Sequence, residues 1–388
     1  MNLSPEQIYK DYKNKILNKK KASELLIIVT ENFLDKDYNT RILGLNFLGL
    51  IGFKGDKIFR FLENLLISDL SDNVRRHAAN IIIQNFPDKA FEPIKWALLH
   101  EVSELCLISI IKALEKTSIP KLHSLLQLKK YVNFNNNIYF PLRKYPIINL
   151  NYKNIDDISK IKGIDNLIYL KKIYLNYNQI EEIKGLEKLS NLRSLHIQDN
   201  KISKINRLKN LKKLEYLYLN NNEISKIEGL SNLRNLKSLL LFNNQISVIN
   251  ELNNLSQLEI LNLRNNQITE IKGLRSLRNL KRLDLSSNQI TEIKGLKKLT
   301  KLEFLDLSHN QIKGFKGLEK LKKLKFLDLR NNNFTKIKGI ERLKKLQSIY
   351  FGFNKISEDK NIKKLKHLKI IDIKNTEPLI NSESLIDR

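Results

Sequence analysis

The chain has 388 residues and a net charge of +28, with 41% apolar and 28% charged residues. This balance is ordinary for a folded protein, and no apolar run in the sequence reaches the roughly 18 residues of a membrane-spanning helix. Because the first residues lack an apolar signal segment and Cys106 is the single cysteine, we expect a cytoplasmic protein without an internal disulfide bond.

Residues 1–130 have the pattern of amphipathic helices separated by short breaks. Ser4 and Pro5 predict the start of the first helix, with Ser4 as its cap. Further helices are predicted in pairs, at 56–66 with 73–86, at 88–99 with 102–114, and in an earlier pair whose second helix includes 39–44.

The stretch Asn73-Val74-Arg75-Arg76, followed by Ala78 and Ala79, opens the second helix of one of these pairs. It resembles the corresponding stretch of HEAT repeats. The resemblance implies an all-α, armadillo-like domain of HEAT-like helical repeats over residues 1–130. The alternative is an unrelated helical cap over the first coil of the region that follows.

Residues 131–147 are interpreted as a junction. Ile148 and Leu150 then predict an atypical first strand, three residues out of register with the later ones.

From residue 148 to 376 the sequence consists of about ten to eleven units with a 22-residue period. The unit that starts at Leu170 has apolar residues at Ile173, Leu175 and Ile180 and an asparagine at Asn178. This asparagine recurs at Asn200, Asn222, Asn244, Asn266, Asn288, Asn310, Asn332 and Asn354. Thr376 replaces it in the next unit, so residues 377–388 are assigned to a C-terminal cap or tail.

The period has a physical cause. Leucines two residues apart, such as Leu283 and Leu285, lie on one face of a short strand. A single coil cannot bury that face, whereas stacked coils bury a continuous core. The asparagine is expected inside the turn, where its amide can bond backbone groups of adjacent coils. Recurrent glycines mark a tight backbone position that prefers no side chain; they are Gly185, Gly229, Gly273, Gly295, Gly317 and Gly339.

The full motif, L-x-x-L-x-L-x-x-N-x-I-x-x-I-x-G-L-x-x-L, resembles the 22-residue class of leucine-rich repeat proteins. The regulatory subunit of protein phosphatase-1 is a well-known member. The resemblance covers about residues 148–376 and implies an α/β solenoid with parallel strands on a concave face that grips partners. It makes a scaffold or regulatory subunit, including a phosphatase regulator, the expected function. Bacterial internalins share the repeat length but are exported, which the missing signal segment argues against.

We number each unit from its first leucine and define the strand face as positions 3, 5, 7 and 8, which should point outward from the strands. Ten units give 40 such residues, and nine are aromatic, about three times the chain average of 8%. Aromatic side chains anchor protein interfaces, so we expect one exposed aromatic strip that binds another protein. The alternative is stacking between strands for stability alone. The predicted partner-binding residues are Tyr174, Tyr177, His196, Tyr216, Tyr218, Leu240, Phe242, Arg264, Asp284, Phe304, Asp306, Phe326, Asp328, Arg330, Tyr350 and Phe353.

Three of these residues, Asp284, Asp306 and Asp328, form one column, and Asp372 follows two coils later. Neighbouring strands lie about 4.8 Å apart, so these carboxylates should repel one another. The nearby Arg264, Arg282 and Arg330 would offset them, and so would a basic side chain of a partner. The alternative is that Leu-Asp-Leu-Ser is simply a common solution in such repeats. No ordered set of ligands predicts a metal site.

The positive charge lies mainly in the repeats. Residues 1–130 contain 20 Lys or Arg and 15 Asp or Glu, which leaves 49 basic and 26 acidic residues, or +23, for the rest. The strand face holds five of each, so the surplus is expected on the convex side. Examples are Lys294, Lys297, Lys298, Lys301, Lys316, Lys320, Lys322, Lys323, Lys338, Lys344 and Lys345. A solvated lysine surface explains them; binding to nucleic acid or an anionic membrane is the alternative.

No pattern in the sequence indicates an enzyme. The six histidines are scattered without metal-ligand spacing, and His196 and His309 lie five coils apart. The sequence contains neither a glycine-rich phosphate loop nor a nucleophile motif. We therefore expect no cofactor and no small-molecule substrate.

Overall fold

The computed structural model describes residues 4–32, 37–142, 145–337, 340–356, 368 and 370–372. The chain forms two compact units, Met1–Lys130 and Tyr131–Arg388. The segment 131–147, interpreted above as a junction, thus belongs to the second unit. None of the helices in the described ranges has the length and apolar character needed to span a membrane.

The first unit is all-helical, as the pattern of its sequence predicts. Ser4 caps the first helix, where its Oγ accepts a hydrogen bond from the backbone N–H of Gln7 at 3.3 Å. The helices are α1 (Pro5–Lys13), α2 (Lys19–Asn32), α3 (Tyr38–Ile51), α4 (Asp56–Ser68), α5 (Asp72–Asn85), α6 (Phe91–His100), α7 (Glu104–Lys116) and the short α8 (Pro120–His123). A 3-10 turn at Ser124–Leu128 follows.

The helices pack as successive pairs. Helix α2 lies against α3 and α4 lies against α5, while α3, α5 and α7 pack on one another in chain order. The sides that meet are apolar: in α4, Ile58, Leu62 and Leu65 are all buried. The pairing predicted for the earlier helices and for 56–66 with 73–86 is therefore confirmed, whereas α6, predicted to pair with the helix over 102–114, lies against α4 as well as α7.

An arginine–carboxylate ion pair occurs twice, at equivalent places in successive helical pairs. Arg41 of α3 pairs with the buried Asp69 at the end of α4. One pair later, Arg75 of α5 binds Glu101 at the end of α6, with Nε at 2.8 Å from Oε2 and Nη2 at 3.0 Å from Oε1. Burial opposes ionisation of Glu101, but the hydrogen bonds from Arg75 and from the Ser103 backbone lower its pKa to about 2. These pairs join consecutive helical pairs.

The second unit opens with a short antiparallel hairpin, β1 (Val132–Phe134) and β2 (Asn137–Tyr139). An 11-stranded parallel sheet, counted over the described residues, follows in strict chain order. Its strands are β3 (Ile147–Asn149), β4 (Lys172–Tyr174), β5 (Ser194–His196), β6 (Tyr216–Tyr218), β7 (Ser238–Leu240), β8 (Ile260–Asn262), β9 (Arg282–Asp284), β10 (Phe304–Asp306), β11 (Phe326–Asp328), β12 (Ser348–Tyr350) and β13 (Ile370–Asp372). Short 3-10 turns occur at Ile158–Lys160, Ile164–Asn166 and Ile340–Arg342.

Strand register follows the sequence period. Leu305 of β10 pairs with Leu327 of β11, which is the equivalent residue of the next unit. Ile148 of β3 pairs with Ile173 of β4, and this longer step confirms the predicted offset of the first strand.

One continuous core fills this unit. Leu283 and Leu285 are fully buried, as are the equivalent apolar residues of the neighbouring coils. Val132 and Phe134 of the hairpin belong to the same core, so β1 covers apolar surface at the N-terminal end of the array. The predicted parallel-strand solenoid is confirmed.

The recurrent asparagine joins adjacent coils, as expected. Asn266 donates through Nδ2 to the carbonyl oxygens of Leu241 at 3.0 Å and Leu263 at 3.1 Å. Its Oδ1 accepts from the backbone N–H of Ile246 at 2.9 Å. Leu241 and Ile246 belong to the preceding coil, so the amide supplies an acceptor for the buried N–H of Ile246 and a second donor for the Leu241 carbonyl, which Asn244 also binds.

In the coils that carry it, the recurrent glycine has a left-handed backbone that leaves no room for a side chain. Gly295 has φ of +81°, and a Cβ there would lie 2.3 Å from the carbonyl oxygen of Ile271. Two coils use Arg207 and Glu251 at this position, with φ of 59° and 52°. Gly339 lies outside the described residues.

Candidate functional site

The strand face is set by alternation within each three-residue strand. In β6, Leu217 is fully buried between Tyr216 and Tyr218, which point to the other side of the sheet. None of the nine strand-face aromatic residues belongs to the core. Six are half-buried, whereas Tyr216, Tyr177 and Phe353 are 38%, 47% and 55% exposed.

The aromatic side chains form two stacks instead of the single strip expected from the sequence. In the first stack, the ring centroids of Tyr174 and His196 are 4.4 Å apart, and those of His196 and Tyr218 are 4.6 Å apart. The expectation of one strip is wrong because β7 and β8 carry Leu240 and Asn262 at the same position. These side chains separate the first stack from the second.

The second stack spans β9 to β12. Phe304 and Phe326 are parallel, with centroids 4.4 Å apart, and Tyr350 follows at 5.3 Å. The Arg282 guanidinium lies 4.3 Å from the Phe304 ring centroid, in cation–π geometry. Stacking between strands thus occurs, as the alternative of stacking for stability alone predicts. Every ring nevertheless remains partly accessible to solvent.

Position 8 has a left-handed backbone in the units that start at Leu170 to Leu346. In the middle coils asparagines occupy it at three successive positions: Asn243 donates to Asn221 at 2.6 Å, and Asn265 donates to Asn243 at 2.9 Å. In the units that start at Leu170 and Leu346 aromatic residues occupy it instead, with φ of 55° at Tyr177 and 62° at Phe353. A bulky side chain in this conformation is strained by roughly 1–2 kcal/mol relative to the right-handed region, so both rings are displayed at a cost in stability.

Tyr177 has a partner that the 22-residue register does not reveal. Tyr152 of the longer first coil also has a left-handed backbone, with φ of 56°, and is 67% exposed. The two rings are parallel, with centroids 4.5 Å apart and planes at 4°. The unusual length of the first coil explains why the position-by-position count missed Tyr152.

The carboxylates of Asp284, Asp306 and Asp328 all have hydrogen-bond or ion-pair partners within the protein. Oδ1 of Asp306 accepts hydrogen bonds from Ser308, from the backbone N–H at 2.9 Å and from Oγ at 2.7 Å, and Asp284 bonds Ser286 in the same way. Asp328 is buried and forms an ion pair with Arg330 at 2.5 Å.

The carboxylates of this column still influence one another. Burial raises the pKa of Asp306, and the charges of Asp284 and Asp328 add to this shift against the hydrogen bonds from Ser308. Of the three arginines expected to offset the column, Arg330 binds Asp328 and Arg282 stacks on Phe304. Arg264 lines a cavity of about 300 Å³ together with Asp306 and Arg330. The Asp372 side chain lies outside the described structure.

A second cavity, of about 450 Å³, lies beside the first aromatic stack. We call it the basic pocket. Its lining residues are Tyr145, Pro146, Ile147, Lys171, Lys172, Arg193, Ser194, His196, Tyr216 and Tyr218. Burial, together with the charge of Lys172, lowers the pKa of His196 to about 4, so its imidazole is neutral at pH 7. Its Nε2 lies 2.8 Å from Ser194 Oγ.

Sequence reasoning missed several of these lining residues. Lys171 and Arg193 occupy position 2, which was not counted in the strand face, and Tyr145 precedes the first strand. Position 2 forms a charge ladder, in which Lys237 pairs with Glu215 at 2.7 Å and Lys281 with Glu259 at 2.8 Å. The ladder consists of Lys171, Arg193, Glu215, Lys237, Glu259, Lys281, Glu303 and Lys325. The sequence pattern that could have revealed this ladder is the alternation of positive and negative charge at position 2 from one unit to the next.

The lysines predicted on the convex side are exposed wherever the structure describes them, and Lys338 lies outside the described residues. Among them, Lys294 forms an ion pair with Glu292.

No cluster of three or more His, Cys, Asp or Glu side chains that could hold a metal ion occurs within the described residues. His196 and His309 lie in coils far apart along the array. Cys106 is buried and unpaired, and burial raises the pKa of its thiol.

Comparison with known proteins agrees with the repeat architecture. A family model described as leucine-rich repeats (two copies) matches residues 170–209, 190–232, 234–276, 278–320, 300–342 and 322–364. A comparison with curated proteins gave no significant sequence match.

Several solved structures are similar to this chain. An internalin, InlF, from Listeria monocytogenes is 26% identical, with 70% of this chain and 88% of that one covered and a TM-score of 0.43. A leucine-rich repeat protein of Leptospira interrogans is 31% identical, with 54% and 62% covered and a TM-score of 0.46. TLR13, in a complex with a single-stranded RNA, is 22% identical, with 72% and 42% covered and a TM-score of 0.54. This last similarity concerns the fold alone.

Proposed function

Because this chain is a leucine-rich repeat protein, we propose that it is a non-enzymatic scaffold or regulatory subunit that binds another protein on its strand face. One observation carries the proposal: the nine strand-face aromatic rings lie outside the apolar core of the solenoid. Rings that served only for stability would gain more by burial, at about 25 cal/mol per Å². Exposed aromatic patches are typical of partner sites.

The strained aromatic residues give independent support. Tyr177 and Phe353 occupy backbone positions where the middle coils use asparagine. Strain of this kind is often found at functional sites. Both rings belong to the strand face and lie in coils far apart along the array, as contacts of an extended interface would.

The test replaces Tyr216, Tyr218 and Phe242 with alanine and measures capture of protein partners from the source cell by affinity purification. We expect the triple variant to lose capture while circular dichroism and urea unfolding show a folded protein. The matched control replaces the exposed convex lysines Lys297, Lys298 and Lys301 with alanine and should capture normally. Unchanged capture by the aromatic variant contradicts the proposal.

The same experiment addresses the second candidate function, attachment to nucleic acid or an anionic membrane through the convex lysines. Exposure of this lysine-rich surface favours it. Phosphate contacts release counterions, so such binding should weaken steeply between about 50 and 200 mM salt. Capture that depends on the convex lysines and on salt, but not on the aromatic rings, would replace the first candidate with the second.

Three narrower assignments belong to the proposal. Regulation of a phosphatase rests on the repeat class alone, and purified partners without a phosphatase would remove it. A HEAT-like first unit is supported by the stacked helical pairs and by the recurrence of the Arg41–Asp69 pair as Arg75–Glu101. A cytoplasmic location is supported by the buried, unpaired Cys106.

A further inference from the structure

We propose that the basic pocket is a subsite for an acidic segment of the partner protein, whose Asp or Glu carboxylates lie between Lys171, Lys172 and Arg193. This inference rests on the proposed function and specifies the chemistry that one end of the strand face recognises.

The first argument is the charge of the pocket. Three cationic side chains and no carboxylate are among its lining residues. Because His196 is neutral at pH 7, the positive charge belongs to the two lysines and Arg193. Within the described ranges neither Lys171 nor Lys172 forms an ion pair, although Lys172 lies 5.6 Å from the Tyr174 ring centroid.

The second argument comes from the charge ladder at position 2. From Arg193 to Lys325 each residue is followed by one of opposite sign, and Glu215 binds both Arg193, at 2.5 Å, and Lys237. Within the ladder the alternation fails only at the first step, where Lys171 precedes Arg193. Like charges in neighbouring strands repel one another. An anionic group placed between these two side chains would relieve the repulsion and complete the ladder.

The third argument is the shape and continuity of the pocket. Its volume of about 450 Å³ exceeds that of a single carboxylate and admits a side chain together with part of its backbone. Tyr216 and Tyr218 form one wall, and Tyr218 belongs to the first aromatic stack. A segment with its carboxylates in the pocket would therefore continue over apolar surface, as a peptide can and a free anion cannot.

The other end of the strand face does not offer this chemistry. There the cavity is lined by Arg264 and Arg330 but also by Asp306, and the carboxylates of the column are bound by Ser286, Ser308 and Arg330. Of these two cavities only the basic pocket has cationic side chains and no carboxylate in its lining, so an acidic segment should be oriented toward β3 to β6.

The test uses the full chain and a dye-labelled peptide of alternating Glu and Leu residues, with affinity measured by fluorescence anisotropy. The control peptide has Gln in place of Glu. Lys171→Glu is the informative variant, because the new carboxylate should pair with Arg193 as Glu215 does. Lys298→Glu on the convex side is its matched control and changes the net charge equally.

We expect the acidic peptide to bind the wild type and Lys298→Glu alike, and Lys171→Glu to bind about tenfold more weakly, as for the loss of a paired charge. Lys171→Glu should unfold at an unchanged or higher urea concentration, which excludes misfolding as the cause. Equal weakening by both variants, or equal binding of the Gln peptide, would overturn the proposal. Much tighter binding of a phosphorylated peptide would overturn the choice of carboxylates.

Failure of this inference is distinguishable from failure of the proposed function. If Lys171→Glu still binds the peptide while the aromatic triple variant loses its partner, only the subsite is wrong. If the aromatic variant captures its partner normally, the proposed function itself fails.

Discussion

The interior of the solenoid and its strand face are built from the same coils, yet their sequences behave differently. Inside, apolar residues and asparagine recur from the unit at Leu170 to the unit at Leu346 and are almost completely buried wherever the structure describes them. On the strand face, position 5 alone changes from Tyr174 through His196 and Leu240 to Asp306. Each coil packs on its neighbours only through its interior, so the residues that recur there are explained by stability. The residues that vary on the strand face are explained by recognition of a partner.

The comparison predicts that replacing one buried interior residue lowers the free energy of unfolding more than any strand-face substitution. Asn266→Ala leaves the N–H of Ile246 without its acceptor. It also removes one of the two asparagine hydrogen bonds accepted by each of the carbonyl groups of Leu241 and Leu263. We expect it to lower the free energy of unfolding by about 2 kcal/mol, because an unsatisfied buried backbone group is costly. Urea unfolding followed by circular dichroism measures the loss.

The matched control for this prediction lies nearby on the strand face. Arg264 is exposed, and Arg264→Ala should change the free energy of unfolding by less than about 0.5 kcal/mol. Equal losses from Asn266→Ala and Arg264→Ala would contradict the division between interior and strand face.

A smaller effect of opposite sign is expected at the strained aromatic position. Phe353→Asn replaces a bulky left-handed residue with the one that the middle coils use, and should raise the free energy of unfolding by about 1 kcal/mol. The reciprocal change, Asn331→Phe, should lower it by a similar amount. A loss of stability in Phe353→Asn would mean that this ring packs instead of protruding.

The fold could be predicted from the sequence because each position of the repeat packs in the same way in successive coils. The recurrence of Asn178 once in every unit was sufficient to predict strand register, and the offset of Ile148 predicted the longer first coil. Helix pairing in the first unit followed from amphipathic patterns in the same way.

The strand face was harder to predict, because its contacts run between coils. The register placed Phe304 beside Phe326, but it did not show that β7 and β8 interrupt the aromatic column. Nor did it show that Ser308 binds Asp306. The basic pocket includes Tyr145, which lies outside any repeat, and so no periodic pattern could have revealed it.

Site-specific photo-crosslinking tests the central claim most directly. A photoreactive phenylalanine analogue is placed at Tyr218 on the strand face or at Lys298 on the convex side, and each protein is irradiated with its captured partner. We expect a covalent adduct from position 218 and none from position 298. An adduct from position 298 alone, with position 218 unreactive, would contradict the assignment of the strand face as the binding surface.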